Sequence, residues 1–273
     1  MLSKPPKKNA ATHSDTPCTR KNEKKSHKAM NAYDISRIHL DAIDSTNLYA
    51  ASLPAPRESE MVVITADMQT AGRGQRGNSW ESEKGKNITF SIMCAPSFIR
   101  PAAQFSLLQA QALALYDVIG AVIPDVSIKW PNDIYAGNRK ISGTLIECEI
   151  NNGKISKAII GTGINVNQRT FLSNAPNPTS LAIEAGSEFD TAAILDAVVG
   201  RFTVYYDMLR SNVCIQKTYR NALYRREGFF TYRDNAGFFT AEITGIEPDG
   251  HIVLRDSEGR KRRYAFKEVA FVI

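Results

Sequence analysis

The spacing of apolar residues changes along the chain in ways that separate strands from helices. Residues 61–66 form a nearly continuous apolar run and residues 87–94 alternate apolar and polar side chains, so both segments predict strands. From Pro101 onward the apolar residues recur every three or four positions, which predicts a helix with one buried stripe. The stripe consists of Phe105, Leu108, Ala112, Leu115, Ile119 and Val122.

Further strands and helices are predicted through the middle of the chain. Asp44, Ser45 and Thr46 precede a short helical segment that Pro54 ends, which is typical of a capped helix. The other predicted strands are 126–130, 140–149 and 155–165, and the other predicted helices are 191–209 and 215–224. This mixture indicates an α+β fold with a mixed sheet.

After residue 224 the chain consists of short β runs separated by turn signals such as Pro248-Asp249-Gly250. The runs are 228–232, 238–246, 251–255, 260–266 and 269–273. We therefore predict three parts: a tail at 1–30, an α+β domain at 31–224 and a small β-barrel at 225–273.

The basic character of the chain belongs to its first thirty residues. The formal net charge is +6, and residues 1–30 hold eight basic and two acidic residues, so residues 31–273 are neutral. The tail has few apolar residues, which predicts disorder. It is the only feature that supports a nucleic-acid-binding regulator, and we expect no specific nucleic-acid partner.

Other function classes are excluded by what the sequence lacks. No run approaches the roughly 18 consecutive apolar residues of a membrane span, and the first residues lack the apolar core of a secretory signal. The four cysteines form no C-x-x-C pair, which argues against a zinc knuckle. We expect a cytoplasmic protein with no membrane contact.

A glycine-rich loop is the first motif with chemical content. Residues 72–80 read GRGQRGNSW, in which three glycines allow close approach of the backbone and two arginines suit an anion such as phosphate or carboxylate. The loop matches neither the dinucleotide fingerprint nor the P-loop. Taken alone, it is equally explained as a surface loop with incidental arginines.

Two further motifs follow. Residues 129–133 read KWPND, and Pro131 is expected to end a strand so that Asn132 and Asp133 face a ligand from a turn, with Lys140 and Gly143 on the next strand. On spacing alone, Asp133 as a turn cap and Lys140 as an edge lysine explain the pattern as well. Residues 161–165, GTGIN, offer two glycines where a ligand can lie against the backbone, or alternatively a bulge.

With the Ser45-Thr46-Asn47 triplet, these motifs occur in the order found in the biotin protein ligases, and the chain resembles that family over about residues 41–273. The resemblance implies a monofunctional enzyme without an N-terminal DNA-binding domain. It implies a catalytic domain similar to class II aminoacyl-tRNA synthetases, followed by an SH3-like barrel. Gln75 and Asn78 depart from the family, in which many members carry arginine at these places.

The resemblance also implies roles for individual residues. Catalytic roles fall to Arg73, Asp133 and Lys140. The biotin-binding residues would be Ser45, Thr46, Asn47, Gln69, Gly72, Arg73, Arg76, Lys140 and Gly143. The nucleotide-binding residues would be Arg73, Arg76, Trp80, Lys129, Asn132, Lys140 and Asn165. Asp133 has two alternative roles, as a ligand of Mg²⁺ or as the carboxylate that receives a proton from the acceptor lysine.

The implied substrates are ATP, with Mg²⁺, and biotin, which is activated as biotinyl-5'-adenylate. The implied partner is the biotin carboxyl carrier domain of a biotin-dependent carboxylase, and we expect a monomer or a weak homodimer. A lipoate or other acyl protein ligase of the same fold is the alternative function.

Removal of residues 1–29 separates the ligase from the nucleic-acid-binding alternative. Because the motifs begin at Ser45, we expect the truncated protein to transfer biotin at nearly the rate of the full chain. Biotin transfer by both proteins, measured under the same conditions, tests this. A loss above roughly tenfold, which corresponds to about 1.4 kcal/mol in the barrier, would contradict the prediction.

Overall fold

The structure, a computed structural model, describes residues 33–74, 79–173 and 176–273. The predicted tail and Gln75, Arg76 and Asn78 lie outside the described residues. Tyr33–Ile273 form one compact unit.

A seven-stranded mixed sheet is the centre of the fold, in agreement with the predicted α+β class. Its strands are β1 (Asp34–Ile43), β2 (Glu60–Gln69), β3 (Ile88–Cys94), β4 (Val126–Lys129), β5 (Asp133–Ala136), β6 (Arg139–Asn151) and β7 (Lys154–Ile164). The spatial order is β1-β2-β3-β7-β6-β5-β4, in which β1 and β2 are parallel and the other neighbours are antiparallel.

Helices cover both faces of this sheet. The helices are α1 (Thr46–Ser52), α2 (Phe105–Gly120), α3 (Leu181–Ala185), α4 (Thr191–Arg210) and α5 (Gln216–Asn221). Alternate strand residues point to opposite faces, so Val63 and Ile92 join the large core with α2 and α4, whereas Ile64 and Met93 pack with Ala50 of α1. The large core therefore leaves the α1 face free to carry polar groups.

The helix predicted from the apolar stripe is confirmed as α2, with two differences. It ends at Gly120, so Val122 lies beyond it and is 38% exposed. Residues outside the stripe, such as Gln109 and Gln111, are also buried. The reason is that α2 is packed between the sheet and α4, which covers more of its circumference than a surface helix buries.

The C-terminal β runs form a second sheet of five antiparallel strands. They are β8 (Phe230–Asp234), β9 (Gly237–Ile246), β10 (Ile252–Asp256), β11 (Lys261–Tyr264) and β12 (Ala270–Phe271), in the order β11-β10-β9-β8-β12. Among the described residues no strand pairing joins β11 to β12, so the expected barrel is not closed by hydrogen bonds. The division of the chain at residue 224 stays a prediction.

This second sheet is attached to the KWPND motif. The indole Nε1 of Trp130 donates a hydrogen bond to the carbonyl oxygen of Gly250 at 2.9 Å. Gly250 has φ +93°, and a Cβ there would lie 2.7 Å from the ring of Phe105, so a glycine is required at this turn. The turn between β9 and β10 is thereby held against the base of α2 and the end of β4.

Three elements were not predicted: β1, β5 and α3. The strand β1 is an edge strand with mostly exposed or half-exposed residues, so it lacks a clear apolar signal. Asp133 begins β5 and does not lie in a turn as predicted, because the three residues Trp130, Pro131 and Asn132 complete the connection from β4. No helix in the described part of the chain is long and apolar enough to span a membrane.

Candidate active site

A cavity of about 550 Å³ opens on the α1 face of the seven-stranded sheet. Most of the residues singled out in the sequence line it, although they are up to 120 positions apart, from Ser45 to Asn165. They are Ser45, Thr46, Asn47, Gln69, Arg73, Trp80, Lys129, Asn132, Asp133, Lys140, Gly143 and Asn165. Gly72 is not part of the lining, and its carbonyl oxygen accepts a hydrogen bond from the Trp80 amide at 2.9 Å. Arg76 lies outside the described residues.

The floor of the cavity is a patch of glycines on two neighbouring strands. Gly143 of β6 is the register partner of Gly163 of β7, and Gly161 lies two positions earlier on the same face. A Cβ at Gly161 would lie 2.1 Å from Oδ1 of Asn47, and one at Gly163 would lie 2.2 Å from Cε2 of Trp80. Asn47 and Trp80 rest on these two glycines, which also line the cavity, and the predicted contact with a ligand stays a prediction.

One end of the cavity is a hydrogen-bonded polar cluster at the start of α1. The amide of Thr46 donates to Oε1 of Gln69 at 2.8 Å. The hydroxyl of Ser91 lies 2.8 Å from Oγ1 of Thr46 and 2.7 Å from Oδ1 of Asn47. The side-chain amide nitrogen Nδ2 of Asn47 donates to Oε2 of Glu147 at 2.7 Å. These bonds fix the orientation of buried groups that present both donors and acceptors.

Ser45 occupies the N-cap position of α1, but its side chain makes no capping hydrogen bond. Asp44 instead accepts a hydrogen bond from the Ser45 amide at 2.6 Å. Ser45 is 3% exposed and lines the cavity, and its predicted role in biotin binding stays a prediction.

A lysine and an aspartate form the second end of the cavity. Nζ of Lys140 lies 2.7 Å from Oδ1 of Asp133, and their side chains are 30% and 18% exposed. A Cβ at Gly143 would lie 3.0 Å from Nζ and 3.2 Å from that carboxylate oxygen, so the absence of a side chain there makes room for the ion pair. Lys140 also lies over the Trp80 ring, 5.7 Å from its centroid.

Two more cationic side chains, Arg73 and Lys129, line the cavity. Nη1 of Arg73 lies 3.5 Å from Oε1 of Glu147, the residue that also holds Asn47. Nζ of Lys129 lies 5.3 Å from the ring centroids of both Tyr135 and Phe271. Burial lowers the pKa of Lys129, and the nearby charge of Asp133 opposes that shift.

Two buried polar atoms in the lining have no partner among the described residues: Nε1 of Trp80 and Oδ1 of Asn165. The other amide atom of Asn165 donates to the carbonyl oxygen of Thr179 at 2.9 Å, which fixes the side chain. Nε1 of Trp80 lies against Gly163, whereas Oδ1 of Asn165 can accept a hydrogen bond from a ligand in the cavity, which would offset the cost of burying it.

The residues around Asp133 do not form a magnesium site of their own. Asp133 is a single carboxylate already paired with Lys140, and the groups of three or more ligand side chains found in the described residues lie elsewhere. A magnesium ion held in proteins commonly uses one or two carboxylates together with substrate phosphates. A role of Asp133 toward Mg²⁺ therefore stays a prediction, and nucleotide phosphates would supply most of the ligands of a magnesium ion here.

Sequence reasoning missed Glu147, Ser91 and Phe266. Glu147 holds Asn47 and Arg73 in place, Ser91 joins Thr46 to Asn47, and Phe266 brings the C-terminal sheet to the cavity wall. Glu147 and Ser91 lie on predicted strands, but no spacing rule identifies which polar strand residue meets a distant helix.

Comparison with known proteins identifies the family. The chain is 30% identical over 238 residues to the biotin--[acetyl-CoA-carboxylase] ligase of Paracoccus denitrificans, a match that covers 81% of this chain and 95% of that protein. The chain belongs to the biotin protein ligase family. Residues 40–165 also match the model of the biotin/lipoate A/B protein ligase family. Membership in the biotin protein ligase family makes the protein a ligase.

Two other members of the biotin protein ligase family match most of this chain, one in sequence and one in fold. The bifunctional ligase/repressor BirA of Bacillus subtilis is 29% identical over 251 residues, covering 84% of this chain and 72% of that protein. The biotin protein ligase of Aquifex aeolicus, solved in complex with biotin and ATP, superposes with a TM-score of 0.71 at 24% identity. That match covers 86% of this chain and 97% of the other, and it confirms the fold.

Gly163→Ala tests the packing of Trp80 on the glycine floor. The new Cβ would meet the indole at 2.2 Å, so we expect Trp80 to move outward and its fluorescence to shift to longer wavelength. Trp130, the other tryptophan, is 4% exposed and should contribute a constant signal. Gly200→Ala is the control, because nothing lies within 4 Å of a Cβ there. An unchanged emission spectrum of Gly163→Ala would show that Trp80 does not rest on Gly163.

Proposed function

We propose that the protein joins biotin to a lysine of a biotin carboxyl carrier domain in two steps, with biotinyl-5'-adenylate as the intermediate. The observation that carries the proposal is the division of one cavity into a hydrogen-bonding end around Thr46 and Asn47 and an end that holds the Lys140 ammonium. Biotin is divided in the same way, since it has a ureido ring with donors and an acceptor at one end and a carboxylate at the other.

The polar end suits the ureido group. Ser45, Thr46 and Asn47 supply hydroxyl and amide groups at the start of α1, and Gln69 and Glu147 hold that cluster in place. With this end anchored, the biotin carboxylate would extend toward Lys140. Pre-organised polar groups favour a ligand of matching shape because they need no rearrangement on binding.

The cationic end suits two anions that must meet. A carboxylate and a polyphosphate repel each other, and fixed positive charge offsets that repulsion at the point where they react. The ammonium of Lys140 has three N–H donors, one of which Asp133 engages, so two remain for the carboxylate and the α-phosphate. Arg73 and Lys129 add charge, and Oδ1 of Asn165 offers an unpartnered acceptor to the adenosine part.

In the first step, a biotin carboxylate oxygen attacks the α-phosphorus of ATP. The new oxygen–phosphorus bond forms as the bond to pyrophosphate breaks, and pyrophosphate leaves. Magnesium bound with the nucleotide would offset part of the phosphate charge. Negative charge accumulates on the phosphate oxygens during this exchange. Lys140 is therefore expected to act mainly on the transition state, where the charge is greatest.

In the second step, the amine of the carrier lysine attacks the acyl carbon, and the bond from that carbon to the AMP oxygen breaks. An unperturbed lysine has a pKa of about 10.4, so about one in a few thousand is neutral at pH 7. A nearby carboxylate helps by orienting the amine and receiving its proton. Asp133 is the candidate, because its carboxylate lies in the cavity beside Lys140.

The names of two relatives support a carboxylase carrier domain as the acceptor. The Paracoccus denitrificans and Mycobacterium tuberculosis relatives are named as ligases acting on acetyl-CoA carboxylase. The acceptor proposed for this chain is therefore the biotin carboxyl carrier domain of such a carboxylase. A monomeric or weakly dimeric state and a cytoplasmic location remain predictions.

Ligation of lipoate is the alternative, since the matched family model includes lipoate ligases. Lipoate has a carboxylate but no ureido group, so it would leave the polar cluster around Thr46 and Asn47 without partners. Pyrophosphate release by the purified protein with ATP, magnesium and either biotin or lipoate decides between them. Release with biotin alone supports the proposal, and preference for lipoate would end it.

Lys140→Ala tests the cationic end. We expect adenylate formation to fall by about a hundredfold or more, because a charge aimed at developing negative charge is worth roughly that much, while biotin affinity falls much less. Single-turnover pyrophosphate release and biotin titration measure the two effects. Lys261→Ala, which removes an exposed lysine on β11, is the control. A loss of turnover below about tenfold would show that Lys140 does not act on the reacting phosphate.

Asp133→Asn probes the second step, because it keeps the shape and removes the charge. Supplied with preformed biotinyl-5'-adenylate, the variant is expected to transfer biotin to the carrier at least about tenfold more slowly than the unmodified protein. Asp196→Asn, on the exposed surface of α4, is the control. Transfer at the normal rate from preformed adenylate would confine Asp133 to the first step.

A further inference from the structure

A buried lysine closes the end of α1 that lies away from the cavity. Nζ of Lys157, on β7, donates to the carbonyl oxygens of Ala51 and Leu53, each at 3.0 Å. The same atom lies 2.7 Å from Oε1 of Glu149, and the lysine side chain is only 5% exposed. A cation at this end of a helix pairs with carbonyl groups that have no partner within the helix.

Helix α1 depends on such contacts because it is short. It has seven residues, and isolated helices below about 12 residues are marginal in water. Its first turn has no side-chain cap from Ser45. The position of α1 is therefore set from outside, by the groups that hold its two ends.

Both ends of α1 are connected to the same strand. Glu147 and Glu149 are two positions apart on β6, so they point to the same face of the sheet. Glu147 holds Asn47 in the first turn, and Glu149 is the register partner of Lys157, which holds the last turn. A shift at the Lys157 end therefore moves the first turn relative to Gln69 and Glu147, which the sheet fixes.

We propose that Lys157 is a positioning residue for biotin recognition, acting through α1 to place the recognition groups of Thr46 and Asn47. This inference rests on the proposed function, since it assumes that these groups bind biotin. Removal of the ammonium leaves two carbonyl groups without their buried donor. Helix α1 would then shift to find other partners, and Asn47 would move off Gly161.

Lys157→Met tests the proposal, because methionine has a similar length and no charge. We expect the dissociation constant for biotin to rise about tenfold or more, because displaced donors and acceptors of the site no longer pair fully with the ligand. The dissociation constant for ATP, measured without biotin, is expected to change by less than about twofold, because α1 does not carry the cationic end. Lys154→Met, an exposed lysine at the start of the same strand, is the matched control for both titrations.

Two further variants separate positioning from stability. Lys157→Arg restores donors and charge, and we expect it to recover most of the biotin affinity. In an Asn47→Ala background, Lys157→Met is expected to weaken biotin binding by a factor at least about threefold smaller than in the unmodified protein, because residues that act through one another are not additive. Equal factors in both backgrounds would overturn the proposal.

The outcomes distinguish the inference from the function on which it rests. If the unmodified protein binds no biotin, the proposed function is wrong. If it binds biotin and Lys157→Met binds it equally well, the positioning role is wrong. Should Lys157→Met not fold, Lys157→Gln, which keeps one side-chain donor, is put through the same two titrations and the same cycle, with the same contradicting results.

Discussion

The arrangement of side chains in the site depends on a patch of the seven-stranded sheet where three glycines leave the backbone uncovered. Gly143 and Gly163 face each other across β6 and β7, with Gly161 beside them, so that over three residues the sheet presents only backbone. Asn47 and Trp80 rest on two of these glycines, and the Lys140–Asp133 pair lies against the third. A single methyl group at Gly161 or Gly163 would overlap atoms of the site, so the distances between the polar end, the indole and the cationic end all follow from this one constraint.

Each cationic side chain of the site is held in place by a carboxylate or by aromatic rings. Asp133 engages Lys140, Glu147 engages Arg73, and the rings of Tyr135 and Phe271 flank Lys129. Cations that are already oriented need little rearrangement when an anion arrives, which is the condition for electrostatic catalysis. Phe266 and Phe271 extend this arrangement to the C-terminal sheet, which therefore contributes to the wall of the cavity as well as to the core.

Much of the fold and most of the site could be predicted from sequence, for identifiable reasons. Helix α2 and strands β3, β6 and β7 have strong apolar patterns because they are packed in the core, and β3 is buried on both of its faces. Strand β1 was missed because an edge strand buries little, and Asp133 was placed in a turn because propensity alone does not show how short the connection after Pro131 is. The roles of Glu147 and Lys157 could not be predicted, because each depends on a contact about a hundred residues away along the chain.

We propose that biotin is activated in this cavity and transferred to one lysine of a carrier domain. The most direct test is the intact mass of an acetyl-CoA carboxylase biotin carboxyl carrier domain after incubation with the protein, ATP, magnesium and biotin, followed by peptide mapping. We expect the carrier domain to gain the mass of one biotin less one water on a single lysine, and to gain no mass when ATP is omitted. A gain that does not require ATP, or no gain although pyrophosphate is released, would contradict the proposal.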